Sequence, residues 1–308
     1  MHKDLSRRQF LHRSSILGLA LLEPAFRGSA WAATASRPAG VQLYMVNDEL
    51  TKDPLGTLKQ IAAIGYKEVE SAGFANLPAA EFRKRVEEAG LSCPSAHLRF
   101  GIEDTGRLLE DANTLGAKYA VSSVLPPRRP ETNDLQGFLN LMNHLSLDDF
   151  KRMAEMANQI GDQARKAGLQ YAYHNHNIEF RNYDGQTGYS VLMKETDPSL
   201  VKFEVDCGWM INGGGDPVEY FQRYPHRFPL VHLKEFTATT TKSTALAPGT
   251  EHQAPTELGH GQINFQPILE EAKKIGMQHC FVDQDPPFHG MTALEAARVD
   301  YQYVHRLL

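Results

Sequence analysis

The run "YAYHNHNIEF" (171–180) begins as an apolar strand and ends in His174, His176 and Glu179. Ionisable groups crowd into five other short apolar runs in the same way. Side chains on a strand alternate between two faces. In "VKFEVD" (201–206), Val201, Phe203 and Val205 share one face, and Glu204 and Asp206 the other. By the same sorting His232 and Lys234 lie opposite Val231 and Leu233, and Asp283 and Asp285 flank Val282. Glu68 and Glu70 flank Val69, while Cys93, Ser95 and His97 share a phase. Burying so many charges without compensation is costly, and a divalent cation removes that cost. Mixed oxygen and nitrogen donors favour Mn²⁺ first, then Mg²⁺, Co²⁺, Zn²⁺ or Fe²⁺, over a thiolate-type site. The competing reading is a polar mouth held by salt bridges and water. Six strands in phase favour the metal.

These side chains need a scaffold that aims several strands at one point. After residue 38 the chain alternates strand-like and helical stretches. Strands are expected at 40–46, 66–71, 91–97, 117–125, 171–176, 201–206, 229–236 and 279–285. Helices are expected at 53–65, 77–90, 103–115, 146–168, 188–196, 216–225, 264–276 and 291–307. Pro78 marks a helix start, and Gly65, Gly90 and Gly116 mark helix ends. Eight strand–helix units predict an α/β fold, a (β/α)8 TIM barrel. No Gly-rich phosphate loop follows the first strand, which argues against a dinucleotide-binding sheet. Two stretches break the rhythm: 125–147, expected as a loop with at most one turn of helix, and 237–263, rich in Thr, Ser, Gly and Pro. Both follow strands, so both should cover the catalytic face as binding loops or a lid.

The 308-residue chain is 42% hydrophobic and 22% charged, enough apolar material for a large core. Its first residues differ from the rest. "SRRQFLHRSSILGLALL" places Arg7 and Arg8 before a modest apolar run, and "SAWAA" supplies a small-x-small cleavage pattern at Ala30 and Ala32. This resembles a twin-arginine export signal over residues 1–33, with the barrel occupying 34–308. The expected location is therefore the periplasm, reached through the twin-arginine export machinery. The apolar run is too short for stable membrane insertion. Residues 1–33 carry five basic and two acidic side chains, so their removal takes the net charge from −5 to about −8. An acidic mature chain without a basic run excludes nucleic acid as a partner. Cys93, Cys207 and Cys280, odd in number and widely spaced, read as buried thiols.

"YHNHNIEF", "FEVDCGWMINGGGDPVEYFQRYPHRFPLVHLKEF", "ELGHGQINF" and "FVDQD" together resemble the xylose-isomerase-like TIM-barrel superfamily. Within it they are most similar to the sugar phosphate isomerase/epimerase family, which includes inosose dehydratase and keto-sugar epimerases. The likeness spans nearly all of 40–308. It implies one metal held by an acid after strand five (Glu179), Asp206, His232 and a strand-eight acid, Asp283, where relatives usually have glutamate. It also implies chemistry alpha to a sugar carbonyl, through an enediolate. In that scheme Lys234 stabilises the oxyanion, His176, His174 and Glu70 handle protons, and His97, Trp209 and Glu204 contact the sugar. His174 stands where ketose epimerases often carry glutamate, which turns the likeness toward the inosose dehydratase branch and enzymes of 3-keto-glycosides.

The first expectation is thus a metal-dependent isomerase or epimerase of a keto-sugar or keto-glycoside. The alternatives are a dehydratase or lyase on the same kind of substrate, and a noncatalytic sugar-binding barrel. Export favours a scavenged, unphosphorylated sugar. The oligomeric state is left open, a homo-oligomer included.

Overall fold

In a computed structural model, the structure describes residues 37–308 apart from 133 and 248–253. The expected export signal lies outside the described residues. Eight parallel strands close into a barrel: β1 (Gly40–Gln42), β2 (Glu68–Ala72), β3 (Ser92–His97), β4 (Tyr119–Ser122), β5 (Gln170–His174), β6 (Val201–Asp206), β7 (Leu230–Leu233) and β8 (His279–Val282). They neighbour one another in chain order, and β1 pairs with both β2 and β8. Eight helices follow the strands in turn: α1 (Pro54–Ile64), α2 (Ala79–Glu88), α3 (Thr105–Leu115), α4 (Leu147–Lys166), α5 (Gly188–Glu195), α6 (Pro217–Arg223), α7 (Phe265–Lys274) and α8 (Ala293–Val304). This is the α/β TIM barrel that the alternation predicts. No helix among the described residues is long and apolar enough to cross a membrane.

Local chemistry sets the helix ends. Asp53 accepts from the Gly56 amide and Pro54 opens α1. Ser146 and Asp149 cap α4 reciprocally, as Thr292 and Glu295 cap α8. Gly116, at φ 87°, ends α3 in the left-handed region.

The strands carry two apolar layers. Their outward side chains, such as Val69, Phe203, Val205 and Val231, pack with the helices in one large core. Inside the barrel, Val121, Ala172, Leu230 and Phe281 form a small separate plug. Above this plug, toward the C-terminal ends of the strands, the inward positions become polar. Below it, Glu68 and His279 pair at 2.7 Å, so Glu68 stays at the opposite end from the site.

Several expected boundaries shift, each for a local reason. Strand one stops at Gln42, whose side chain accepts from the Tyr44 amide and turns the chain into a 3-10 helix. Cys93 does not share the phase of Ser95 and His97. The β2–β3 register shifts between Glu68 and Glu70, and Cys93 packs in the outer core. Strand five ends at His174; a 3-10 turn, Ile178–Phe180, follows. Strand seven splits, with Glu235–Phe236 leaving the barrel to pair with Pro255–Thr256.

The stretch 125–147 contains a nine-residue helix, Leu135–Asn143, where one turn was expected. A Cβ at its glycine, Gly137, would collide with Thr132 Oγ1. The glycine therefore permits a close approach and does not interrupt the helix. The stretch 237–263 is tied to the barrel by side-chain amides. Asn177 Nδ2 donates to the Ser243 and Ala245 carbonyls, and Asn212 Nδ2 to Thr241. Asn143 exchanges two hydrogen bonds with Leu246, at 2.7 and 3.0 Å, joining both insertions.

Candidate metal centre and active site

The polar layer starts with Glu70, wholly buried on β2. Its carboxylate accepts from Gln42 Nε2 (3.0 Å) and Ser95 Oγ, and lies 2.6 Å from His232 Nε2. Glu204 on β6 is its counterpart. Glu204 Oε2 lies 2.6 Å from His97 Nε2, 3.1 Å from His174 Nδ1 and 3.2 Å from His232 Nε2. These two carboxylates and three imidazoles form one connected network, with His97 at its edge.

His174 and His232 each have a second ring nitrogen, and both turn toward the same acids. His174 Nε2 lies 3.9 Å from Asp206 Oδ2, and His232 Nδ1 lies 3.4 Å from Asp283 Oδ2. Asp206 caps the short helix Cys207–Asn212, its Oδ1 accepting from the Trp209 amide at 2.8 Å. Its Oδ2 is buried without a partner. Candidate donor atoms of His174, Asp206, His232 and Asp283 all lie within 4.8 Å of one another. Two imidazoles, two carboxylates and an orphaned oxygen fit a divalent ion. Glu204 and Glu70 would then orient the two histidines from behind, as carboxylates behind metal-bound imidazoles do. A second grouping, His97, His174, Glu204 and His232, is equally tight. There Glu204 Oε2 is already shared among three imidazoles, so the Asp206 grouping is the better cradle.

Three of the four ligands expected from the sequence, Asp206, His232 and Asp283, meet here; the fourth, Glu179, does not. It is buried in the 3-10 turn, where Oε1 accepts from Tyr173 Oη (2.6 Å) and Oε2 from the His176 amide (3.0 Å). Tyr173 lies on the outward face of β5, against Phe203. The turn therefore aims Glu179 away from the barrel axis, and His174 stands beside the other three in its place. The parity of β5 already put His174 inward; that was the signal for it. Glu70 and Glu204 also depart from their expected contacts with substrate. Both sit behind the histidines, outside the lining of the cavity, as positioning residues.

A cavity of about 720 Å³ opens above this layer. Its polar end is lined by Gln42, His97, His174, His176, Lys234 and Asp283. Lys234 Nζ lies 3.0 Å from Asp283 Oδ2 and 2.8 Å from Asp285 Oδ2, and 5.4 Å from the Trp209 ring centre. It does not pair with Glu204. His176 also stands against Trp209, ring centres 5.7 Å apart, and its Nδ1 is buried without a hydrogen-bond partner.

The electrostatics sort the histidines into two kinds. Burial opposes charge on every one of them. For His97 the Glu70 and Glu204 carboxylates outweigh burial and raise its pKa to about 10; the same pair holds His232 well above the usual range. Burial would raise Glu70, but His97 and His232 hold it well below the usual carboxylate range. His174 and His176 go the other way. Burial holds His174 well below the ordinary value, and burial followed by the Lys234 charge takes His176 down to about 3. Burial raises Asp206 to about 7. Asp283 resists burial because Lys234 and His232 hold it low. The cavity wall therefore offers neutral imidazoles beside a fixed ammonium.

Sequence reading missed the supports of this layer, Gln42 and Ser95, and the apolar half of the cavity. It also missed a buried acid group outside the site, Glu235, Glu257 and Asp300, where Asp300 on α8 accepts from the Leu258 amide.

Comparison with known proteins agrees with this architecture. The family model for the xylose isomerase-like TIM barrel matches residues 58–283. The chain is 26% identical over 263 residues to an inosose dehydratase of Lacticaseibacillus casei, covering 80% of each chain. It is 26% identical over 297 residues to an inosose dehydratase of Geobacillus kaustophilus, covering 85% of this chain and 89% of the relative. A solved sugar phosphate isomerase/epimerase from Parabacteroides distasonis superposes with a TM-score of 0.69 at 25% identity, over 89% of this chain and 95% of that one. With a His/Asp cluster able to hold a divalent ion and similarity to enzymes along most of its length, the protein is a metal-dependent enzyme. It belongs to the xylose isomerase-like TIM barrel family.

Proposed function

We propose that the protein is a divalent-metal-dependent lyase that eliminates water, or another group beta to the ketone, from a keto-polyol or keto-sugar, free or as a glycoside. The observation that carries this reading is the geometry of the cavity's polar end, where His176 and Lys234 stand against Trp209 beside the His174, Asp206, His232 and Asp283 group. Similarity to inosose dehydratases over four-fifths or more of their length supports elimination ahead of isomerisation.

His174, Asp206, His232 and Asp283 would hold the ion. A divalent ion held there would polarise a ketone oxygen and acidify the adjacent C–H. His176, on the cavity wall beside that group, is the residue assigned to take the alpha proton. Lys234, kept cationic by Asp283 and Asp285, faces the negative charge that develops on the ketone oxygen. The C–H electron pair becomes the new C=C bond as the C–O bond to the beta hydroxyl breaks, and the proton taken by His176 passes to that oxygen, which departs as water. His97 and Trp209 line the same wall and would contact ring hydroxyls and the ring face.

Isomerisation or epimerisation, the first expectation, shares the proton abstraction and differs at the next carbon. The similarity to the Parabacteroides protein keeps it as the second reading. Mn²⁺ as the preferred ion and a periplasmic location belong to the same proposal. They rest on the donor set and on the Arg7–Arg8 signal pattern.

The test is incubation of keto-inositols and 3-keto-glucosides in D₂O with Mn²⁺, products read by NMR. Loss of water or of the aglycone is the expected result. Deuterium in a rearranged sugar without loss moves the assignment to an isomerase or epimerase. His176→Ala is expected to keep the metal and lose proton exchange by at least about a hundredfold; normal exchange in that variant removes His176 as the base.

A further inference from the structure

The catalytic groups occupy only one end of the cavity. The other end is built from Leu98 and Leu108, Val124, and Leu135, Phe138 and Leu139 of the inserted helix. We infer that this end is a second, apolar subsite for an aromatic or alicyclic substituent carried by the substrate. The inference rests on the keto-sugar reading of the polar end and extends it.

Four observations carry it. First, about 720 Å³ is the size of pocket that encloses a drug-sized molecule, larger than a single polyol ring needs. Second, beyond His97 and Lys234 the wall continues in Leu98, Leu108, Val124, Phe138 and Leu139, and its charged residues, Arg99 with Glu103 and Arg107 with Asp111, pair with one another. Third, three large hydrophobics stand out as exposed among the described residues: Tyr44 at 52%, Ile102 at 49% and Leu135 at 70%. Tyr44 and Leu135 line this cavity, and Ile102 lies on the loop between its lining residues Arg99 and Glu103. Exposed apolar side chains gathered at one mouth mark a binding surface. Fourth, the wall is fixed in place. Leu141 and Met142 bury the far face of the inserted helix, and Asn143 bonds Leu246 twice at its end.

The charges at this mouth favour a neutral ligand. The lysine and arginines lining the cavity all face carboxylates: Arg99 with Glu103 at 3.7 Å, Arg107 with Asp111 at 3.9 Å, and Lys234 with Asp283 and Asp285. A phosphoryl group entering here would meet no cation without a carboxylate beside it. A ring-bearing aglycone would instead bury its face against Leu135 and Phe138 while the sugar reaches His97 and His176.

Binding is measured by calorimetry on the metal-loaded protein with two unreactive probes, phenyl and methyl β-D-glucopyranoside. Phenyl is expected to bind about tenfold tighter, the advantage of burying one ring face. Leu135→Asp, at a position too exposed to threaten folding, and Phe138→Ala are each expected to bring that ratio close to one. No phenyl advantage in the unmodified protein, or an advantage that both variants keep, overturns the subsite. Loss of self-association in Leu135→Asp with the phenyl advantage intact gives the face to a second copy of the chain and overturns it too. Turnover of small keto-polyols is followed separately. If they react while phenyl shows no advantage, the subsite falls and the lyase reading stands. If phenyl binds preferentially and no keto-substrate reacts, the reverse holds.

Discussion

Asp300 on α8 offers a quantitative test of the buried acid group. Its side chain is 1% exposed; Oδ1 accepts from the Leu258 amide at 2.7 Å, and Oδ2 has no partner. Burial, then the nearby Glu257 and Glu235 carboxylates, raise its pKa to about 8, while the Leu258 bond opposes the rise. In the unfolded chain an aspartate titrates near 3.9. Between those values the folded state holds a proton that the unfolded state has lost. Stability is therefore fully present below about pH 4 and is lost as pH rises toward about 8. One proton corresponds to about 1.4 kcal/mol per pH unit, so Asp300 removes about 2–3 kcal/mol between pH 5 and pH 7. Asp300→Asn keeps the acceptor for Leu258 and cannot ionise. Its stability relative to the unmodified protein should rise by about 2–3 kcal/mol between pH 5 and pH 7. Urea unfolding at pH 5, 6 and 7 measures the difference. Parallel stability curves for the two proteins would show that Asp300 is ionised in the folded state and refute the argument.

Asp206→Asn should lose most of the bound divalent metal and Glu179→Gln should retain it, as measured by metal analysis after gentle purification; the opposite pattern returns Glu179 to the ligand set. Removing the α4 capping box with Ser146→Ala should cost about 1 kcal/mol in urea unfolding, because it strips the hydroxyl that accepts from the Asp149 amide. If the export signal is processed, mass spectrometry of protein from its native host should find an N-terminus near residue 33; an intact Met1 on periplasmic material contradicts cleavage.

The strand and helix alternation was legible because period-2 and period-3.6 patterns depend only on neighbours along the chain. The same period put Glu70, His97, His174, Glu204, Asp206, His232, Lys234 and Asp283 on inward faces, and the structure places all of them in the polar layer. Position along the barrel axis was not legible. Glu68 and Glu70 share a parity, yet one meets His279 at the bottom and the other His232 beneath the cavity. Depth is set by the stagger between neighbouring strands, which is a pairing property. Glu179 failed for a related reason. Parity holds only while the strand lasts, and the 3-10 turn after His174 re-aimed that side chain toward Tyr173.

The amino-acid sequence by itself determined the eightfold alternation, the family pattern and the inward donor set of imidazoles and carboxylates. Only the tertiary structure decided which four donors share a locus, which histidines are held charged, and that the cavity continues into an apolar end. Those outcomes depend on distances between residues far apart in the chain. His232 lies 2.6 Å from Glu70 across 162 residues, and Asn143 fixes Leu246 across 103. Contacts at such separations arise only when the barrel closes and both insertions settle across its mouth.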